Sequence, residues 1–221
     1  MNNTITPDCF IIGFSGRKNS GKDTCATSVI KYILAAAKKA ATEIPQEKIV
    51  ETFAFANPMK RMCMQFFGLT QEQCFGTNDQ KNSPTEILWE NFPVREIAEQ
   101  HDGYMTAREV AQFLGTEVIR RMLPNAHVNA LMWDINFAMP HYALVVDVRF
   151  PNEVRAIQDA EGKVIRLTRV VFPDDNHESE TALDPEFFDW RNFDAILDNR
   201  ALTPEEQELF LKIYLKKWGV L

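Results

Sequence analysis

The stretch Cys9-Phe10-Ile11-Ile12-Gly13-Phe14-Ser15-Gly16-Arg17-Lys18-Asn19-Ser20-Gly21-Lys22-Asp23-Thr24 decides how the chain is read. Cys9 to Phe14 is an apolar run of strand length, closed by Ser15-Gly16. Gly16 to Lys22 fits GxxxxGK, and from Gly21 to about Ala41 the residues Val29, Ile30, Ile33, Leu34 and Ala37 recur at helical spacing. Strand, glycine-punctuated turn and helix in that order make a phosphate-binding loop. The glycines let the backbone curl so that successive N–H groups face phosphate oxygens, at a helix N-terminus that favours anions. Gly16, Asn19, Ser20, Gly21, Lys22, Asp23 and Thr24 are the candidate nucleotide contacts, and Lys22 is placed to reach the terminal phosphates.

The usual motif continues with a magnesium-ligating Ser or Thr, whereas Lys22 is followed by Asp23 and then Thr24. A carboxylate so close to a triphosphate is costly unless it holds the metal, directly or through water, or pairs with a cation. It also suits the first turn of any helix. A second element is Ala143-Leu144-Val145-Val146-Asp147, an apolar run that reads as a strand buried on both faces and ends in an acid. Ligands of open parallel sheets bind at that edge, so Asp147 suits the orientation of magnesium or its water. Arg149 lies beside it, with Glu153 one helical turn further on. An Asp147 to Arg149 ion pair that merely fixes the strand end is the plainer alternative.

The remaining pattern is alternating. Ile49 to Phe55 reads as a strand, Pro58 opens a helix over Met59 to Phe67, and residues 68–104 read as short helices and loops inserted between regular elements. Thr106 to Met122 is helical, with Glu109 completing a capping box, and Ala126 to Ala138 is a further helix. Asn152 to Glu161 reads as helix, Lys163 to Thr168 and Asp194 to Leu197 as strands, and Thr203 to Trp218 as a helix capped by Thr203 with Pro204 in its first turn. The fold class expected is α/β, a doubly wound parallel sheet flanked by helices in one domain. On the helix from Thr106, a rotation of about 100° per residue puts Arg108, Gln112, Gly115 and Thr116 on one polar face. A glycine within a helix costs about 1 kcal/mol, so Gly115 implies close approach by something, either a ligand or a neighbouring helix.

The 221 residues carry 24 Lys plus Arg against 31 Asp plus Glu, a net charge of −7, which argues against affinity for nucleic acid. That charge is local. Pro173 to Asp194 holds eight acids (Asp174, Asp175, Glu178, Glu180, Asp184, Glu186, Asp189 and Asp194) and one base, Arg191, so the rest of the chain sums to zero. Met1 to Asp8 lacks the features of a secretory signal, and no stretch has the length of a membrane span. Cys9, Cys25, Cys63 and Cys74 lack CxxC spacing and read as free thiols. A cytoplasmic protein is expected, without membrane partners.

Taken together, these blocks resemble the phage-type deoxynucleoside monophosphate kinases. The resemblance is carried by Gly16 to Thr24 with its SGKDT ending, Phe53-Ala54 followed by Asn57-Pro58-Met59-Lys60, and Phe66-Phe67-Gly68-Leu69-Thr70. It continues through Gln112-Phe113-Leu114-Gly115-Thr116-Glu117, Asp147-Val148-Arg149-Phe150-Pro151-Asn152-Glu153 and His177-Glu178-Ser179-Glu180. It implies an adenylate-kinase-like P-loop kinase with a helical monophosphate-binding insertion (about 68–104) and a lid (about 170–190). The implied reaction is ATP- and magnesium-dependent transfer of the γ-phosphoryl group to a deoxynucleoside monophosphate. In that reading Lys22, Asp147 and Arg149 act in catalysis and the loop residues bind ATP. Lys60, Arg108, Gln112, Gly115, Thr116, Arg149 and Glu153 hold the acceptor, and Asp23, Thr24 and Asp147 hold magnesium. The chain departs from the family pattern at His127, where relatives often carry Trp, and at Glu109, where some carry a base.

The acidic segment Val170 to Trp190 is expected to be the lid, open when empty because its acids repel. Its cations are then drawn from Arg166, Arg169 or Arg191, with acids such as Glu180 positioning them. Small nucleotides are the expected partners, in a homodimer, in the host cytoplasm for a phage-encoded chain. A kinase of another small phosphorylated acceptor uses the same loop. A nucleotide-dependent switch is the alternative of a different class, although the NKxD signature of GTPases is missing.

Overall fold

The computed structural model describes residues 9–40, 45–172 and 177–221. Met1 to Asp8, Ala41, and Asp174 and Asp175 of the acidic segment lie outside the described residues. Two compact units emerge, one of residues 1–54 with 131–221 and one of residues 55–130.

The first unit opens with β1 (Phe10–Ser15), α1 (Lys22–Lys39), α2 (Gln46–Ile49) and β2 (Val50–Phe53). The second holds α3 (Ala56–Phe67), α4 (Gln71–Phe75), α5 (Asn78–Lys81), β3 (Pro84–Leu88), α6 (Arg95–Ala98), β4 (Tyr104–Thr106) and α7 (Ala107–Phe113). From Leu114 to Arg120, α7 continues as π-helix. Helix α8 (Ala126–Ala138) crosses the division, and the first unit resumes with β5 (Tyr142–Val148), α9 (Pro151–Asp159), β6 (Lys163–Leu167), α10 (Glu178–Thr181), β7 (Ala195–Leu197) and α11 (Pro204–Lys217).

The five strands of the first unit pair in the order β2-β5-β1-β6-β7, all parallel. Burial on both faces explains why β1 and β5 are apolar without alternation: Ile11, Ile12, Phe14, Ala143, Leu144 and Val145 are inaccessible. Helix α1 covers the sheet through Val29 and Ile33, and α11 through Leu211 and Leu215. Removing each such side chain from water contributes about 1.5–3 kcal/mol. Capping fixes the ends that the sequence announced, with Thr203 accepting from Glu206 N and Pro204 in the first turn of α11.

The parallel arrangement brings the carboxyl ends of β1, β5 and β6 to one edge. There Ser15 pairs in register with Val148 on one side and Arg166 on the other.

The helical unit has its own core, in which Met59 and Cys63 of α3 meet Trp89, Met105, Ala107 and Val110. Helices α3 and α7 share this core with the pieces between them, in the unit of residues 55–130. Two features depart from the reading above. Helix α3 starts two residues before Pro58. A two-stranded antiparallel sheet, β3 with β4, stands where only short helices and loops were expected.

Candidate functional site at the sheet edge

The loop after β1 is held by glycines where no other residue fits. A Cβ on Gly16 would lie 2.5 Å from Ser20 Oγ, and Gly21 caps α1 in the left-handed region at φ 104°. Lys22 is buried beneath the loop. Its ammonium donates to the carbonyl oxygens of Gly16 (2.7 Å) and Arg17 (2.8 Å), with Ser20 Oγ at 3.5 Å. Burial first, then the Arg149 charge, lowers its pKa to about 8, against the opposing charges of Glu180, Asp23 and Asp147. Asp23 and Thr24 are exposed on the first turn of α1, and Asp147 is half-buried at the end of β5.

Arg149 follows β5, and its backbone N–H donates to Glu153 Oε2 at 2.8 Å. The same carboxylate oxygen accepts from Phe150 N at 3.1 Å, and Glu153 is 1% exposed. Glu153 therefore fixes the turn that aims Arg149. The arginine side chain bonds the Ser179 carbonyl (3.0 Å) and forms an ion pair with Glu180.

The described part of the acidic segment is docked on this edge. Glu180 accepts from the loop amide of Lys18 at 2.8 Å while it pairs with Arg149. Asp184, in the bend after α10, pairs with Arg17 and with Arg166. The expected self-repulsion is thus relieved by the arginines of the edge, and Glu180 holds Arg149 rather than Arg166 or Arg169. Arg166 is 4% exposed, lies under the rings of Trp190 and Phe193, and donates to Ser15 Oγ at 3.0 Å. Its Nε is buried with no hydrogen-bond partner among the described residues, and burial lowers its pKa to about 10. Arg191 is exposed and pairs with its neighbour Asp189.

Arg169 is held by Asn199: its backbone N–H donates to Asn199 Oδ1, and its Nε and Nη2 donate to the Asn199 carbonyl. Asn199 is fully buried and donates to Ser20 O at 2.7 Å, so it ties the loop to Arg169. A cavity of about 610 Å³ lies here, lined among others by Arg17, Arg166, Arg169, Asp184, Phe187 and Trp190.

In the helical unit, Arg108 donates from Nε to Asn82 Oδ1 (2.8 Å) and from Nη2 to Asn78 Oδ1 (2.9 Å). Gln112 is half-buried, and Lys60 lies over the Phe75 ring at 5.0 Å. Gly115 and Thr116, expected on an open polar face, are buried. From Leu114 the i to i+5 pattern changes the angle between successive residues, so a bearing computed for an α-helix fails. What approaches Gly115 is His127 of α8, whose Nε2 lies 3.2 Å from Gly115 O and whose Nδ1 lies 3.3 Å from Phe55 O. Glu109 is occupied by its cap, accepting from Thr106 N at 2.7 Å.

Among the described residues no three acidic, cysteine or histidine side chains converge as a metal cage. Asp147, Asp23 and Thr24 offer hard oxygen donors, which fit a magnesium ion held largely by nucleotide phosphates. Asp184 and Asn199 were missed from the sequence. Asp184 lies in the bend after α10, which no local spacing marks, whereas Asn199 follows an apolar strand at the carboxyl edge.

A parallel α/β unit with a GxxxxGK loop at its carboxyl edge, ringed by arginines, fits a P-loop kinase fold. The chain is 29% identical, over 208 residues, to a protein of Acanthamoeba polyphaga mimivirus named "Putative deoxynucleotide monophosphate kinase", covering 88% of this chain and 91% of that protein. No protein-family model matches the chain. Among the described residues no helix is long and apolar enough to cross a membrane.

Proposed function

We propose that the chain is a nucleotide kinase that transfers the γ-phosphoryl group of ATP to a deoxynucleoside monophosphate. The observation that carries the reading is Lys22 under a phosphate loop whose edge also gathers Asp147, Arg149 and Arg166. The similarity to the mimivirus protein supports the choice of acceptor. Phosphoryl transfer asks a protein chiefly for alignment and charge neutralisation, and this edge supplies both.

In this mechanism the loop amides and Lys22 hold the donor phosphates, and the Lys22 proton neutralises charge on the group in transit. Arg149, aimed by Glu153, meets the transferring phosphoryl group. The cavity beside Arg169 takes the rest of the donor nucleotide, its volume of about 610 Å³ lying in the range of small-molecule sites. Arg108, Gln112 and Lys60 of the helical unit receive the acceptor. Asp147 with Asp23 or Thr24 would hold magnesium, which would supply further charge neutralisation at the phosphates. No strong base is needed, because a monophosphate oxygen is already ionised near neutral pH.

A coupled assay of ATP and magnesium against the four deoxynucleoside monophosphates, the ribonucleotides and dephospho-coenzyme A tests the reading. Turnover of at least one deoxynucleoside monophosphate above the other acceptors is expected. Preference for dephospho-coenzyme A would move the chain to another acceptor class, and tight ATP binding without any turnover would make it a switch.

A further inference from the structure

Arg108 differs from three arginines of the sheet edge in what it touches, and shares with Arg169 a neutral asparagine partner. Arg17, Arg149 and Arg166 each meet a carboxylate, whereas the described partners of Arg108 are two neutral amide oxygens. Both ends of this clamp are built rigidly. Asn78 opens α5 and Asn82 caps its C-terminal end, and the start of the helix is fixed by a capping box between Thr77 and Gln80. Arg108 sits in the first turn of α7, fixed by the box between Thr106 and Glu109. The segment just after α5 is tied to the start of α7 where Ala107 N donates to Ser83 O at 3.1 Å.

A guanidinium has five N–H donors in a planar fork. The clamp takes one from Nε and one from Nη2, which leaves the Nη1 and Nη2 end of the fork, the edge that meets phosphate in a bidentate pair. An amide oxygen fixes the plane of the fork and leaves its charge uncompensated. A carboxylate in the same place would fix the plane equally well and cancel the charge.

We infer that Asn78 and Asn82 are positioning residues for the acceptor's phosphate: they orient Arg108, and their neutrality reserves its charge for that phosphate. The inference rests on the acceptor role of Arg108 proposed above. It makes the amide group itself, and not merely a hydrogen-bond acceptor, the requirement at both positions.

The test compares Asn78→Ala, Asn82→Ala, Asn78→Asp, Asn82→Asp and Arg108→Ala in the full chain. Acceptor and donor KM are measured with the best deoxynucleoside monophosphate and ATP, beside thermal unfolding. The Asp variants should raise acceptor KM about tenfold and more than the Ala variants do, with donor KM unchanged and thermal stability equal or higher. A clamp serving only to brace α5 against α7 gives the opposite order, because Asp pairs with Arg108 and restores the brace. Asp variants with acceptor KM at or below that of the Ala variants would therefore overturn the inference, as would a matching rise in donor KM. Calorimetric binding of the monophosphate must rank the variants in the same order. An Arg108→Ala chain with unchanged acceptor KM, or a wild-type chain that neither binds nor phosphorylates any monophosphate, overturns the acceptor reading itself.

Discussion

Three arginines at the sheet edge and Arg108 of the helical unit are held differently. At the sheet edge Arg149 ends on Glu180, and Arg17 and Arg166 share Asp184, so the positive charges around the phosphate loop are balanced by the acidic segment. In the helical unit Arg108 ends on amides. Balance at the edge allows Arg166 to be buried there, since an uncompensated internal charge costs several kcal/mol. A half-exposed arginine such as Arg108 needs no such compensation and keeps its charge for a ligand. The difference also accounts for the concentration of net charge. Seven acids lie between Pro173 and Trp190, and among the described ones Glu180 and Asp184 face the arginines of the edge.

The largest effect expected on either side of this comparison is that of Lys22→Ala. Its ammonium donates to two carbonyl oxygens of the loop, and its loss should lower the rate of transfer about a thousandfold. Circular dichroism should show the fold retained. Arg149→Lys follows, with a loss of about a hundredfold in kcat, because an ammonium cannot keep the Glu180 and Ser179 contacts while presenting a fork to phosphate. Full activity in that variant would reduce Arg149 to an ion-pair partner.

Asp184→Asn addresses the balance directly. It removes the carboxylate that Arg166 and Arg17 share and should cost about 3 kcal/mol in denaturant unfolding, because Arg166 is left charged and buried. The neutral clamp predicts the reverse for Asn78→Asp in the helical unit, which should not lower stability. Equal losses in both variants would erase the distinction between the two units.

Glu180→Gln is subtler and shows in the pH profile. Lys22 has a folded pKa of about 8, below its ordinary 10.5, so between those values the unfolded chain binds a proton that the folded chain has released. The contribution of Lys22 to stability therefore rises with pH across that window, while donor binding, which needs the ammonium, falls. Glu180 is one of the charges that hold the proton on Lys22. Its removal should move the alkaline fall of kcat/KM for the donor to lower pH. An unmoved limb would mean that Glu180 does not act on Lys22.

Much of the α/β unit was legible because each of its elements is marked locally. An apolar run ending at a glycine gives β1, Thr203-Pro204 gives the start of α11, and four apolar residues before Asp147 give β5. The loop residues follow from the same logic. The contacts of Asp184, Glu180 and Asn199 were not legible, since each joins residues 18 to 179 positions apart and depends on strand order rather than on spacing. β3 was hidden because Pro84-Thr85-Glu86-Ile87-Leu88 begins with a proline and lacks clear alternation, and Thr85 is stabilised there by donating to Met105 O. Helical bearings were reliable up to Phe113 and failed after it, where the turn widens.

That failure yields the smallest predicted effect, at Gly115. Read as part of an α-helical polar face, its missing side chain left two candidates for what approaches it, a nucleotide or a neighbouring helix, and with the nucleotide there Gly115→Ala would raise acceptor KM sharply. In the structure a Cβ on Gly115 would meet His127 Cε1 and Nε2 at 3.5 Å and Met59 Cγ at 3.8 Å, ordinary van der Waals contacts that require no displacement. Alanine also restricts the unfolded chain and favours the helix by about 1 kcal/mol relative to glycine. Gly115→Ala should therefore keep acceptor KM close to the wild-type value and raise the unfolding temperature by a few degrees. A large rise in acceptor KM at undiminished stability would return Gly115 to the nucleotide. The pair of ring nitrogens that His127 presents to Phe55 O and Gly115 O would then serve to hold a binding surface open rather than to pack one closed.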